Sequence, residues 1–303
     1  MKLSVIIPTH NRADVLKTCL EKVIAQQGVD FEVIVVDDGS TDHTEKIVKQ
    51  FIDPEGAQSI ARLRGTDIRY IKQSGSHQAV ARNRGVEVAT GEIIVFIGDD
   101  IFVEPEFLIK HHDRHTENPD ENVVVLGFTT WDPNLPKITK YMRFLEDSGW
   151  QFGYKFLHPK WIGRMDPFKF FYTSNISLKK SFLEKEKFNE DFLFYGWEDI
   201  ELGYRLWKHH DMKMYYEPQA IAYHHHYIDE TDLVKKMRNV GKSALHFQHL
   251  QPDIQIIPRG MKAMVLKLAS NKYTLPIFRL LGKNTYYKLK SWNEFFHGVE
   301  EEF

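Results

Sequence analysis

Four short apolar runs, separated by stretches of helical periodicity, restrict this chain to one broad class of fold. Leu3 to Ile7 (LSVII), Phe31 to Val36 (FEVIVV), Ile68 to Ile71 and Ile93 to Ile97 (IIVFI) read as strands buried on both faces, since polar alternation is missing from them. Between the first two, Val15, Leu16, Cys19, Leu20, Val23 and Ile24 recur at helical spacing, with Asn11 as the expected N-cap and Gly28 suited to the exit. A second helix carries Ile47, Val48, Phe51 and Ile52 behind a Ser40 cap, and a third covers about Gln78 to Ala89. Strand–helix alternation of this kind predicts right-handed βαβ units: an α/β chain with a Rossmann-like, mostly parallel sheet and flanking helices.

The 303 residues allow one large domain or two small ones, and with 42% hydrophobic residues they can bury a sizeable core. The formal net charge of −2 gives no global case for nucleic acid. A single cysteine, Cys19, forbids a disulfide within the chain and favours a reducing compartment. A strand beginning at Leu3 leaves no room for a signal peptide. No run approaches the roughly 20 apolar residues of a membrane span. A cytoplasmic chain, soluble or peripheral at the inner face of the cell membrane, is therefore expected.

In doubly wound sheets ligands bind beyond the carboxyl ends of the strands. Those ends carry Pro8-Thr9-His10-Asn11-Arg12, then Asp37-Asp38-Gly39-Ser40, then Gly98-Asp99-Asp100. Polar groups converging on one edge make a nucleotide-sized site. Neither the Gly-rich dinucleotide fingerprint nor a P-loop is present. Asp99 and Asp100 follow a buried-looking strand, and adjacent carboxylates repel unless a cation or hydrogen bonds compensate them. Oxygen ligands suit Mg2+ or Mn2+, which commonly hold a diphosphate as well. The competing reading is a strand-ending turn. Asp37 and Asp38 carry two compatible readings, a turn leading into the next helix and an acceptor for a base N–H or a ribose hydroxyl.

The chain changes character after about residue 103. In FNEDFLFYGWEDIELGYRLWKHH, Ile200, Gly203, Tyr204 and Trp207 fall on one helical face, which puts Glu198 and Asp199 in the first turn. There the helix dipole favours ionised carboxylates, as a general base requires. An acid-decorated helix start is the plainer alternative. His224 and His226 follow an apolar stretch, share a face if extended, and so could reach one metal together. His111 and His115 also have i, i+4 spacing, but among polar neighbours (HHDRHTEN) they are expected on a solvated face. From Ile254 to Asn293 there are eight Lys or Arg and no Asp or Glu. Such helices either lie on an anionic membrane or cap the catalytic domain with their lysine stems over apolar surface. No nucleic-acid-binding module accompanies the basic residues.

VIIPTHNR, VIVVDDGSTD, ARNRGVEVATGEIIVFIGDD and GWEDIELGYRL, in this order, resemble the family 2 glycosyltransferases of the GT-A fold over about residues 1 to 230. The resemblance implies a catalytic domain at 1–230, with a nucleotide-binding half to 103 and an acceptor half after it, and a helical extension at 231–303. It implies transfer from a nucleotide-diphosphate sugar to an acceptor hydroxyl, with Mn2+ or Mg2+ as cofactor. Pro8, Thr9, Asn11, Arg12, Asp38, Arg82, Asn83 and Asp99 then belong to the donor side, with Thr9 and Asp38 near the base and Asp99 at the ribose. Asp100 would ligate the metal with His224, or with His226 as the second candidate. The family's motif is often D-x-D, and here Gly98 replaces its first Asp. Asp199 would be the catalytic base of an inverting displacement, and Trp197 and Glu198 would line the acceptor. The Gly-Trp-Glu-Asp form is similar to galactosyltransferases and hints at a UDP-sugar. Thr173 to Ser177 (TSNIS) would either floor the sugar pocket or form an ordinary polar strand. The implied acceptor is a carbohydrate or a lipid-linked glycan. Nucleotidyl transfer is disfavoured because the first turn lacks a Gly-rich, Arg-containing loop. A non-catalytic binder would take up donor without transferring sugar.

Overall fold

The computed structural model describes residues 1–52, 65–75, 77–157 and 166–301. Sugar selectivity is expected to depend on the loops at about 127–175, part of which lies outside the described residues. The expected alternation is present as β1 (Leu3–Thr9), α1 (Ala13–Ile24), β2 (Phe31–Asp37), α2 (Thr44–Ile52), β3 (Asp67–Lys72), α3 (His77–Val88) and β4 (Ile93–Phe96). Next come β5 (Ile101–Val103), α4 (Phe107–Glu117), β6 (Val123–Trp131), α5 (Lys140–Ser148), β7 (Ile176–Lys179), α6 (Lys180–Leu183), α7 (Glu198–His210) and β8 (Lys213–His224). The chain closes with α8 (Asp232–Leu250), α9 (Gly260–Ala269), α10 (Leu275–Leu281) and α11 (Lys283–Glu301).

Eight strands form one sheet in the order β3-β2-β1-β4-β7-β6-β8-β5. The first four pair with one another in parallel, and β7 is antiparallel to both β4 and β6. β1, β2 and β4 are buried along nearly their whole length as expected, but β3 lies at the sheet edge and is fully buried only at Ile68, so it is not covered on both faces. The order reverses at β1, which has β2 on one side and β4 on the other. That is the switch point at which open α/β sheets form a crevice. One face is filled by Leu3, Val5, Ile7, Leu16, Cys19, Leu20, Val33, Val35, Ile93 and Val95, all fully buried.

Neither expected cap forms as anticipated. Arg12 occupies the N-cap position of α1, its side chain does not cap the helix, and the Ala13 N–H is instead taken by Asp42 Oδ2 at 3.1 Å. Asn11 Oδ1 accepts from the Thr41 and Asp42 amides, tying the β1 loop to the β2 loop. Helix α2 starts later than expected, at Thr44, with its amide on Asp42 Oδ1 at 3.0 Å, while Ser40 Oγ accepts from the Asn11 N–H. Asp42 thus caps both helices, α1 from across the sheet edge and α2 from two residues before its first turn.

Two compact units are distinguished. One holds residues 1–135, 154–190 and 202–226, and therefore the whole sheet; the other holds 136–153, 191–201 and 227–303. In the second unit α8 and α11 run antiparallel in backbone contact. A Cβ on Gly298 would lie 2.0 Å from Arg238 O, and one on Gly241 would lie 2.2 Å from Phe295 O. Tyr141 of α5 packs edge-on against Tyr287 of α11 at 5.4 Å.

Candidate active site

The loop after β4 brings Asp99 and Asp100 to the carboxyl end of β1. Both are nearly buried, at 5% and 7% exposure. Thr9, the last residue of β1, donates Oγ1 to Asp99 Oδ2 at 2.7 Å. Arg12 Nη1 bridges the two carboxylates, 2.8 Å from Asp99 Oδ1 and 2.6 Å from Asp100 Oδ2. The repulsion that the sequence made a puzzle is thus offset by a guanidinium, a role for Arg12 beyond its expected place on the donor side. Nothing local signals it, because 87 residues separate the partners.

Strand β5 starts directly after Asp100 and pairs antiparallel with the end of β8, Ile101 against His224. The His225 N–H donates to Asp100 O at 2.7 Å and seals this junction. His224 Nε2 stands 3.1 Å from Asp100 Oδ2, and His226 Nδ1 stands 3.4 Å from it. The two imidazoles lie nearly parallel, 5.5 Å apart, with Trp131 stacked on His224. His225 alternates away, stacking on Phe102 and meeting Asp132 Oδ2 at 2.7 Å. The ligand atoms of Asp100, His224 and His226 all lie within 4.8 Å of one another. One carboxylate oxygen and two imidazole nitrogens at that spacing fit a divalent cation, Mn2+ better than the all-oxygen preference of Mg2+.

The electrostatics divide the two carboxylates. Burial, together with the neighbouring charge of Asp100, raises Asp99 to about 6. Burial also opposes ionisation of Asp100, but the charge and hydrogen bond of His224, the hydrogen bond of His226 and the charge of Arg12 outweigh it and hold Asp100 well below the usual range. Asp100 is therefore the firmly ionised member of the pair.

The other expected donor-side residues are placed as follows. Asp38 receives Gln73 Nε2 at 2.7 Å and the His77 N–H at 2.9 Å. Asp37 is fully buried, accepts the Ser40 N–H and the Tyr70 hydroxyl, and is thereby committed to structure. Pro8 lies beside Thr9 at the end of β1. Arg82 bonds Gln78 Oε1 and lies over the Phe188 ring. Asn83 clamps residues 188–190, donating to Phe188 O and Glu190 Oε1 and accepting the Phe188 N–H.

In the second unit, Trp197 takes a left-handed backbone (φ +74°) and its O accepts the Glu201 N–H at the start of α7. Its indole N–H donates to Val240 O at 3.1 Å. Glu198 is 7% exposed, and Asp199, half-buried, accepts the Ile200 N–H at 2.8 Å.

His111 and His115 require a correction: both are completely buried, not solvated. They share an inward face of α4 with Phe107 and Leu108, while the polar neighbours that suggested solvent lie on the other faces. Asn175 Nδ2 donates to Phe128 O and Ala220 O, so its Oδ1 is the acceptor facing His111 Nε2 at 2.9 Å. His111 Nε2 therefore carries the proton and Nδ1 accepts from Ser177 Oγ at 2.8 Å. Ser177 in turn accepts from His115 Nε2 at 2.9 Å. Burial lowers His111 to about 4 and His115 to about 3. This network commits Asn175 and Ser177 of the TSNIS segment to the interior, in favour of the structural reading.

A Rossmann-like sheet with a carboxylate–imidazole cluster at its switch point defines the GT-A architecture, and structural likeness agrees. Mannosyltransferase PcManGT from Pyrobaculum calidifontis, solved with GDP-Man and Mn2+, gives a TM-score of 0.65 at 15% identity over 99% of this chain and 86% of that one. S. aureus TarS 1-349 in complex with UDP gives 0.55 at 16% over 99% and 91%. Residues 4–185, well over half of the chain, match the model of glycosyl transferase family 2, and the chain belongs to that family. A validoxylamine A glucosyltransferase of Streptomyces hygroscopicus subsp. jinggangensis is 30% identical over 83% of this chain, which spans 62% of that relative's length.

Proposed function

We propose that the protein is a metal-dependent inverting glycosyltransferase that uses a nucleotide-diphosphate sugar, a UDP-sugar first among them. The observation that carries this is the cluster of Asp100, His224 and His226 beside Thr9, Arg12 and Asp99 at the sheet's switch point. Asp100, His224 and His226 would hold Mn2+ or Mg2+, which when bound neutralises charge on a diphosphate leaving group. Asp99, oriented by Thr9, accepts from a ribose hydroxyl. Thr9 and Asp38 serve the base, with Pro8 and Asn11 shaping the same turn. Arg82 and Asn83 act on the donor side through the segment they hold at 188–190.

Asp199 takes the proton of an acceptor hydroxyl while that oxygen attacks C1 of the donor sugar. The C1–phosphate oxygen bond breaks, the nucleoside diphosphate leaves with its electron pair, and C1 is inverted. Trp197 and Glu198 line the acceptor, and the Gly-Trp-Glu-Asp form favours a hexose, galactose-type transfer. The acceptor is a carbohydrate or lipid-linked glycan of cell-envelope polysaccharide or glycoconjugate synthesis, met on the cytoplasmic side and, through 254–293, at an anionic membrane. In this reading 1–230 is the catalytic domain and 231–303 its helical extension.

Thermal unfolding against UDP, GDP, dTDP and CDP, each with and without Mn2+, tests it. One nucleotide should raise the midpoint only with metal, and Asp100→Ala should remove that shift. No shift with any nucleotide would overturn the metal-dependent donor site.

A further inference from the structure

The sequence left two readings of the basic C-terminal segment, a cap on the catalytic domain or a membrane surface. Neither α9 nor α10 contains a fully buried residue. Yet their outer faces are apolar. In α9, Met261, Met264, Val265 and Leu268 are 77%, 57%, 56% and 63% exposed and follow i, i+3, i+4, i+7 spacing, one continuous stripe. Lys262 and Lys267 fall roughly 110° to either side of that stripe at the α-helical turn per residue. In α10, Ile277, Leu280 and Leu281 repeat the pattern at 56%, 90% and 74% exposure, and Tyr273, 75% exposed, lies between the helices.

We infer that α9 and α10 form an in-plane docking surface for an anionic lipid bilayer, with the two apolar stripes in the headgroup–acyl boundary and the basic residues at its rim. Charge selects this occupant. Eight Lys or Arg and no Asp or Glu lie between Ile254 and Asn293. A second copy of the chain would set that positive segment against itself, whereas an isologous interface must be self-complementary. An anionic leaflet complements the exposed charges of this set, and each basic residue near it adds to binding in the same direction, whereas Lys290 is half-buried and faces Glu230 at 3.8 Å. Within this set Lys267 also pairs with Glu300 at 2.7 Å, and Arg279 lies over Tyr286. Contact in the plane, rather than crossing, is the geometry available: among the described residues no helix is long and apolar enough to span a membrane. Short helices with an apolar stripe edged by lysine suit the interface. The surface deepens the membrane contact proposed above for 254–293 by assigning it to α9 and α10; its test needs no nucleotide, so its failure is distinguishable from failure of the sugar-transfer reading.

The experiment is flotation of the full chain with phosphatidylcholine vesicles, with and without phosphatidylglycerol, at low and high salt. Binding is expected to the anionic vesicles only, falling about tenfold in high salt. The combined variant Met264→Ser, Leu268→Ser, Leu280→Ser should lose about tenfold or more while its thermal midpoint stays that of the wild type, because all three side chains face solvent. Arg259→Glu with Lys262→Glu should lower binding without touching the stripe. Absence of flotation with anionic vesicles, or equal flotation of wild type and the triple variant, would overturn the inference. So would a concentration-dependent dimer that the triple variant abolishes with no vesicle binding, which would assign the face to a second copy.

Discussion

Gly98 makes room for the carboxylate of Asp100: a Cβ at position 98 would stand 2.9 Å from Asp100 Oδ1. The obstructing atom is the end of a side chain rather than backbone, so a substitution there displaces the carboxylate and leaves the strand in place. The departure from D-x-D at this position thus has a steric meaning in this chain. Gly98→Ala is expected to change overall stability by less than about 1 kcal/mol and to weaken metal-dependent nucleotide binding by about tenfold. Paired denaturant melts and nucleotide titrations with Mn2+ check both halves, and unchanged metal-dependent binding would refute the steric argument.

Arg12 compensates two buried carboxylates at once. Arg12→Gln should destabilise the metal-free protein by about 1–3 kcal/mol, because the carboxylates keep their burial and lose their cation. Mn2+ should then stabilise the variant more than the wild type, since it no longer competes with a guanidinium. Urea unfolding with and without Mn2+ reads this directly, and an equal metal effect in both proteins would count against Arg12 and a metal sharing the same carboxylates.

The buried histidines set an acid limit. His111 and His115 titrate near their ordinary value of about 6.5 when unfolded, and in the fold they are lowered to about 4 and about 3. The unfolded chain therefore binds more protons between these values. Their contribution is complete above about pH 6.5 and is lost as pH falls toward 4 and 3, at up to about 1.4 kcal/mol per pH unit for each. Asp99, raised to about 6, acts in the opposite sense over part of the same window. The informative quantity is thus the difference between wild type and His115→Gln, which should shrink as the pH is lowered from 7 to 4. A difference that stays constant with pH would show that His115 does not titrate this way.

Asp199→Asn should lower sugar transfer by about a thousandfold while leaving the nucleotide-induced thermal shift intact, because general-base catalysis and donor binding are separable. Transfer at wild-type rate would end the assignment of the base to Asp199.

The parts of this architecture that were legible in the sequence are those written in local periodicity. β1 to β4 and the helices between them emerge from apolar runs of strand length and from i, i+3, i+4 spacing. His224 and His226 were legible as a pair because an extended chain places alternate residues on one face. What was not legible depends on partners far away in the chain. Asp42, not Asn11, receives the first amide of α1, and Arg12 meets carboxylates that a strand count cannot bring to it. His111 and His115 look polar by their neighbours, yet they accept burial because Asn175 and Ser177 satisfy them from a strand over 60 residues later. Whether α9 and α10 were covered likewise depended on the rest of the fold.

One detail of the sheet reaches further than its size. Along β6 and β8 the register jumps between Gly127 and Phe128, whose partners are Glu217 and Ile221, so residues 218–220 have no counterpart. Asn175 pins both banks of this detour through Phe128 O and Ala220 O. Side chains on a strand alternate with a period of two, so three unmatched residues act as a half-wave delay. Without the delay His225 would inherit the side of the sheet now held by its two neighbours, and Asp100 would face the wrong imidazole. The handedness of the cluster is therefore decided by parity, several residues before the histidines: adding or removing one residue between Glu217 and Ile221 would invert it, whereas two would leave it in phase.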